Sequence, residues 1–166
     1  MKKHFVKCLS NEEENEMDDN SVEKNYIKQE IYANMKANLK KAMKAGFYYE
    51  AIFIEYAIIE DRCASLLKHA DVKCIDSKGY ELKLASKLNK LRGNPKFVVP
   101  YARKRIPLEF IDRIDSWKEQ RDRFIHSLAK IPYDDENVMQ VAMEGNEIVH
   151  ILDNKSKSIN NYLDKL

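Results

Sequence analysis

The feature that most constrains this fold is the helical spacing of apolar residues over long stretches that proline and glycine rarely interrupt. The chain has only four Gly and four Pro in 166 residues. Its apolar residues recur every three or four positions, which is the period of an amphipathic helix. The expected helices span about residues 21–46, 48–70, 78–91, 107–132 and 135–163. We therefore predict an all-α, up-and-down bundle of about five helices, forming a single domain over residues 21–166.

Residues with strong local preferences mark the expected helix ends. Ser21 is a suitable N-cap, and Gly46 is a suitable C-terminal stop for the first helix. Pro107 suits the first turn of the fourth helix, because proline lacks the amide that this position leaves unpaired. Residues 96–106 mix apolar side chains with arginine and lysine around Pro100, so we expect a basic connecting loop there.

Charge is unevenly distributed along the chain, although the formal net charge is only +2. Residues 11–23 contain seven acidic side chains and no basic one. Because residues 1–20 also lack apolar periodicity, we expect them to form a mobile acidic tail. Residues 73–105 contain ten basic and two acidic side chains, a local balance of +8. Such a segment attracts phosphates, although a solvated helix face has the same composition.

Cysteine usage and hydropathy indicate where the protein functions. The sequence has three cysteines without Cys-x-x-Cys spacing, Cys8, Cys63 and Cys74. Its first residues do not contain the apolar segment that is typical of a secretory signal peptide. The most apolar run, residues 51–59, is nine residues long and contains a glutamate, whereas a bilayer-spanning helix needs roughly 20 residues. We therefore expect a cytoplasmic protein with no disulfides and no membrane association.

One charged residue interrupts the apolar stripe of the fourth helix. The stripe runs through Ile114 and Trp117, and its next position is Arg121. An isolated buried charge costs several kcal/mol, so either a carboxylate must meet this arginine or the stripe must face a cleft. The expected partner is Glu55, which lies among apolar residues of the second helix, and the adjacent pair of acidic residues 60–61 is the alternative.

The same helix brings a histidine close to this arginine. Asp122 and His126 are four residues apart, so the carboxylate can reach the imidazole and hold its tautomer. Arg121 and His126 are separated by five residues, which is about 140° around a helix. One helix therefore does not point both side chains at one target. A twofold-related copy of the helix would create a groove that both side chains line.

This part of the sequence contains an Arg, a polar residue, three further residues and a His, late in a small all-α chain. The pattern resembles the signature of the HEPN (higher eukaryotes and prokaryotes nucleotide-binding) superfamily. The resemblance rests on Arg121, Asp122 and His126. It implies a four- or five-helix bundle that forms a homodimer through the motif-bearing helices. In active members of this family the shared cleft is a metal-independent endoribonuclease, found in toxin–antitoxin, abortive-infection and CRISPR-linked defence systems.

Carried to this sequence, the resemblance implies roles for the three motif residues. Arg121 would stabilise the scissile phosphate, His126 would act as general acid or base, and Asp122 would orient its neighbours. The products would carry 2′,3′-cyclic phosphates, and no metal or other cofactor is expected. Leu128 stands where the toxin subfamily that is inactivated by nucleotidylation has a tyrosine.

Contacts to the RNA backbone require positive charge more than sequence-specific geometry. Our candidates for such contacts lie in the basic segment and are Lys90, Arg92, Arg103, Lys104 and Arg105. Two other interpretations stay open. The chain would be a catalytically inactive HEPN-like bundle that binds RNA or a protein partner, such as an antitoxin or a defence component, or a purely structural helical dimer.

Overall fold

The computed structural model describes the backbone of residues 6–127, 130 and 135–165 and the side chains of residues 26–127, 130 and 136–165. The described residues form seven α-helices and no β-strand, which confirms the all-α prediction. The helices are α1 (Val6–Ala45), α2 (Tyr48–His69), α3 (Leu84–Gly93), α4 (Pro95–Val98), α5 (Pro100–Arg105), α6 (Leu108–Ser127) and α7 (Asp135–Leu163).

The chain divides into two compact units, Met1–Ala37 and Asn38–Leu166. In the first unit, residues 1–5 of the expected acidic tail lie outside the described residues, and the backbone is helical from Val6. The helix that we expected to begin at Ser21 therefore begins earlier. Described side chains of this unit include the exposed Tyr26 and Ile31.

The second unit begins with the last turns of α1, which end as expected at Gly46. This glycine has a φ of 76°, a left-handed conformation that favours glycine. The amide of Phe47 donates to the carbonyl of Ala42 at 2.9 Å, which closes the end of the helix. The chain reverses there and continues directly into α2.

The core of the second unit is built on α2 and α7. These two helices pack against each other more extensively than any other pair in the described part of the chain, and α3 and α6 cover their flanks. Ile52, Ile59 and Leu66 of α2 are almost fully buried, as the predicted stripe requires. Trp117 of α6 is also buried, and its indole N–H donates to the carbonyl of Val141 in α7 at 2.9 Å. Each of these four helices thus buries an apolar face in this core.

The connection between α2 and α3 is longer than the sequence suggested. We expected the third helix to begin near Lys78, but α3 begins at Leu84. The carboxylate of Asp76 accepts hydrogen bonds from the amides of Lys78 and Tyr80, at 2.8 and 2.9 Å, and Gly79 has a φ of 85°. These interactions stabilise a tight turn, because a short polar side chain can replace the backbone partners of a helix.

The segment that we expected to be a basic loop, residues 96–106, contains most of α4 and all of α5. Pro95 and Pro100 each occupy a first-turn position, where proline is favourable. The side chain of Asn94 accepts a hydrogen bond from the amide of Lys96 at 2.8 Å and so caps α4. These two short helices account for the difference between the expected five helices and the observed seven.

Over the described ranges, every helix falls short of the combined length and apolarity that crossing a bilayer requires.

Candidate functional site

The Arg-Asp-x-x-x-His motif occupies the last two turns of α6. Phe110, Ile114 and Trp117 form the buried face of this helix, and Arg121 occupies the next position along the same face. Its side chain is only 18% exposed. The sequence therefore predicted correctly that a cation continues the apolar stripe.

Aromatic rings of α2 accommodate this arginine. The Cζ atom of Arg121 lies 4.1 Å from the centroid of the Tyr56 ring and 5.8 Å from that of Phe53. Its Nη1 donates to Asp122 Oδ1 at 2.8 Å, whereas its Nε is buried and has no hydrogen-bond partner among the described residues. A guanidinium is attracted to the face of an aromatic ring, especially where water is excluded. The charge is thus balanced by a tyrosine ring and a neighbouring carboxylate.

The expected ion pair between Arg121 and Glu55 is not formed in the described part of the chain. Glu55 is fully buried, and both of its carboxyl oxygens lack a hydrogen-bond partner there. It lies against Gly145 of α7, where an added Cβ would be 2.8 Å from Glu55 Cδ and from Trp117 Nε1. Burial raises the pKa of Glu55 to about 9, so this side chain is a neutral acid at pH 7.

Asp122 contacts cations rather than the histidine. Besides Arg121, it meets Lys118 Nζ at 3.2 Å one turn earlier on α6. Burial acts to raise the pKa of Asp122, but hydrogen bonds to Arg121 and Lys118 and their positive charges outweigh it and lower the pKa below its usual range. The carboxylate is therefore ionised at neutral pH and holds the guanidinium of Arg121.

His126 lies in the last turn of α6 and is exposed. Within the described residues it forms no hydrogen bond or ion pair, so the expected contact with Asp122 is not made. Because Arg121 and His126 are about 140° apart around the helix, one copy of α6 does not direct both at a single target. Leu128 lies outside the described residues.

The basic segment is less positive than its composition suggested. Arg92 is held by Asp112 and Asp115, at 2.9 and 2.8 Å. Lys96 pairs at 2.7 Å with Asp71, which lies outside the segment. Lys87 is fully buried, and its Nζ lies 3.5 Å from Oε1 of Glu60, a residue of α2 that is also outside the segment. Carboxylates distant in sequence therefore neutralise part of the local charge.

The other RNA-binding candidates differ in their environments. Lys90 and Lys104 are exposed. The guanidinium of Arg105 lies 3.6 Å from the centroid of the Tyr101 ring, and its Nε donates to Ser158 Oγ at 3.2 Å. Arg103 has a buried Nη1 with no hydrogen-bond partner among the described residues. Lys90 and Lys104 are thus the candidates best able to reach a phosphate.

Tyr56 is the site residue that the sequence did not identify, because an aromatic residue at helical spacing from Ile52 and Ile59 is typical of a core. The available signal was indirect. Phe53 and Tyr56 are three residues apart, so they lie on neighbouring parts of the helix surface. An arginine in the apolar stripe of another helix, opposite two aromatic residues, indicates cation–π packing as well as an ion pair.

Comparisons of the chain with models of protein families, with curated proteins and with solved structures find no match.

Proposed function

We propose that this protein is a metal-independent endoribonuclease of the HEPN type, in which Arg121 and His126 act on the phosphodiester. The observation that carries the proposal is the guanidinium of Arg121, which is held against Tyr56 and Asp122 near the end of α6. Five residues further on, His126 is exposed and pairs with no described residue. In an RNA transesterification, a fixed cation can stabilise the developing charge and an imidazole can transfer a proton.

The reaction forms a bond between the phosphorus and the neighbouring 2′-oxygen and breaks the bond between the phosphorus and the 5′-oxygen of the leaving nucleotide. The 2′-oxygen attacks the phosphorus and loses its proton to a base, while the 5′-oxygen departs and gains a proton from an acid. His126 serves one of these two roles, and a water molecule serves the other. Arg121 stabilises the negative charge that develops on the phosphoryl oxygens. The products carry a 2′,3′-cyclic phosphate and a 5′-hydroxyl.

A homodimer supplies the groove that one chain does not form. Because Arg121 and His126 diverge around α6, the phosphate lies between two copies of the helix, each of which presents one flank. Asp122 then acts through Arg121, whose Nη1 it holds at 2.8 Å, rather than through the histidine. A defence or toxin role, with an antitoxin or another defence protein as partner, belongs to the same proposal.

Cleavage of a mixed single-stranded RNA pool in EDTA tests this function. The wild type is compared with His126→Ala and Arg121→Ala, and His150→Ala serves as a matched control because His150 is also exposed but lies on α7. We expect cyclic-phosphate ends from the wild type and the control only. Equal cleavage by all four proteins would show a contaminating nuclease, and cleavage by none would reject the ribonuclease.

A catalytically inactive RNA-binding bundle is the second candidate. The observation that favours it is the missing contact between Asp122 and His126, which leaves the imidazole without an orienting carboxylate in the described structure. This candidate predicts that the wild type binds RNA without cleaving it. It also predicts that His126→Ala binds with the same affinity.

A further inference from the structure

The aromatic surface beneath Arg121 deepens the proposed function and rests on it. We propose that Tyr56 is a positioning residue, whose ring fixes the guanidinium of Arg121 in the orientation that meets the phosphate. Tyr56 itself does not touch the RNA in this proposal. It acts through Arg121.

The guanidinium is constrained on several sides. The Tyr56 ring lies 4.1 Å from Cζ, Asp122 occupies Nη1, and Nε is buried. The third nitrogen, Nη2, makes no hydrogen bond to a described residue and is not among the buried atoms, so it is the nitrogen available to a ligand. An arginine side chain has many rotamers in solution, and stacking on a ring selects few of them. The remaining donor group is thereby directed before any ligand arrives, which lowers the cost of binding in the reactive geometry.

The ring that constrains Arg121 is itself held in place. Tyr56 is half-buried on α2, and the backbone of Leu84, the first residue of α3, is close to its phenol. Burial and the nearby Glu60 raise the pKa of Tyr56 against the opposing effects of Arg121 and Leu84. The phenol is therefore neutral at physiological pH, so Tyr56 offers Arg121 a ring face and not an anion.

Phe53 provides a graded comparison on the same helix. Its ring is 5.8 Å from Arg121 Cζ, and its side chain is 51% exposed. A contact that is longer and more exposed to water restrains a cation less. Removal of the Phe53 ring should therefore perturb Arg121 less than removal of the Tyr56 ring.

A second guanidinium–tyrosine pair in the same unit supplies a matched control. Arg105 lies 3.6 Å from the centroid of Tyr101, which also stacks on Tyr162 with 4.2 Å between centroids. Tyr101→Leu removes a tyrosine ring from an arginine just as Tyr56→Leu does, but it does so away from the motif. Any effect common to both variants reports a general loss of packing.

The first experiment observes the orientation of Arg121 directly. The side-chain Nε–H signals of a ¹⁵N-labelled protein are recorded by NMR, and the Arg121 signal is assigned by its loss in Arg121→Lys. We expect a proton shifted upfield by the ring and slow exchange with water in the wild type and in Tyr56→Phe. In Tyr56→Leu the signal should move to the region of free arginines, and Tyr101→Leu should leave it unchanged.

The second experiment asks whether this orientation serves a phosphate. A 2′-O-methyl RNA oligonucleotide, which lacks the attacking hydroxyl, is added to each labelled protein. The Arg121 signal should respond in the wild type and in Tyr56→Phe but not in Tyr56→Leu. An unchanged Arg121 signal in Tyr56→Leu without RNA, or the absence of any response to RNA in the wild type, would overturn the positioning role.

Single-turnover cleavage at saturating RNA completes the test. Tyr56→Leu should slow the chemical step about 10- to 100-fold, because a small displacement of a catalytic group has an effect of this order. Tyr56→Phe should keep the wild-type rate, and neither substitution should change the RNA affinity much. Equal rates for the wild type and Tyr56→Leu would refute the proposal. If the wild type does not cleave, the ribonuclease fails, and the two NMR experiments still decide whether Tyr56 positions Arg121.

Discussion

The buried carboxyl of Glu55 makes the stability of this protein depend on pH in an unusual direction. Its pKa rises from 4.5 to about 9 because the side chain is fully removed from water. Between these two values the folded protein retains a proton that the unfolded chain releases. The unfolded state is therefore favoured as the pH rises, and the free energy of unfolding falls by about 1.4 kcal/mol per pH unit from this group alone.

Replacement by glutamine isolates the effect, because Glu55→Gln has nearly the same shape and does not titrate. From pH 5 to pH 8 the wild type should lose about 4 kcal/mol relative to the variant, a large share of a typical folding free energy of about 5–15 kcal/mol. Near pH 5 ionisation of Glu55 should lower the stability of the wild type by only about 1 kcal/mol or less, since the pH is then close to the pKa of the unfolded glutamate and the folded side chain is neutral in both proteins.

Urea unfolding at pH 5, 6, 7 and 8, followed by circular dichroism, measures this difference. All other titrating groups are common to both proteins, so only the difference between their free energies of unfolding reports Glu55. A difference that stays constant across the four pH values would refute the reasoning. It would mean that Glu55 is ionised in the folded state and that a partner or water satisfies it.

Two further predictions follow from the described contacts. Gly145→Ala should destabilise the protein by about 1–3 kcal/mol, because the new methyl group overlaps the Glu55 carboxyl. The loss of stability should be smaller when Glu55→Ala is present as well, and additive effects of the two substitutions on urea unfolding would argue against the overlap. Lys90→Ala and Lys104→Ala should each weaken RNA binding and reduce the slope of log affinity against log salt by about one, whereas Arg92→Ala should change the slope less because two carboxylates already hold Arg92. Equal salt slopes for the three variants, measured by fluorescence anisotropy of labelled RNA, would contradict this ranking.

The sequence predicted the helical class because apolar periodicity and scarce glycine act locally, within each segment. It also identified Gly46 as a helix end, where a left-handed backbone has a clear residue preference. It missed the turn at Asp76, because the side-chain hydrogen bonds that stabilise the turn compete with a helical pattern that the residues also satisfy. The short helices of residues 95–105 were missed because their prolines indicated a loop as readily as a helix start.

The candidate site was predictable only in part. The unusual position of Arg121 was apparent from the stripe, but its contact was not, because Glu55 and Tyr56 differ by one residue and about 100° around α2. Which of them meets α6 depends on the rotation of one helix against another, and side-chain spacing within α2 does not determine that rotation. The neutralisation of Arg92 by Asp112 and Asp115 likewise depends on tertiary packing.

The location of Trp117 gives this protein an intrinsic optical probe. It is the only tryptophan in the chain, it is buried, and it precedes Arg121 by one helical turn. Its indole is bonded to Val141 and lies beside the space that Gly145 leaves for Glu55. The emission wavelength of a single tryptophan reports the polarity around one ring, so ordinary fluorescence follows the interior next to the motif without any attached label.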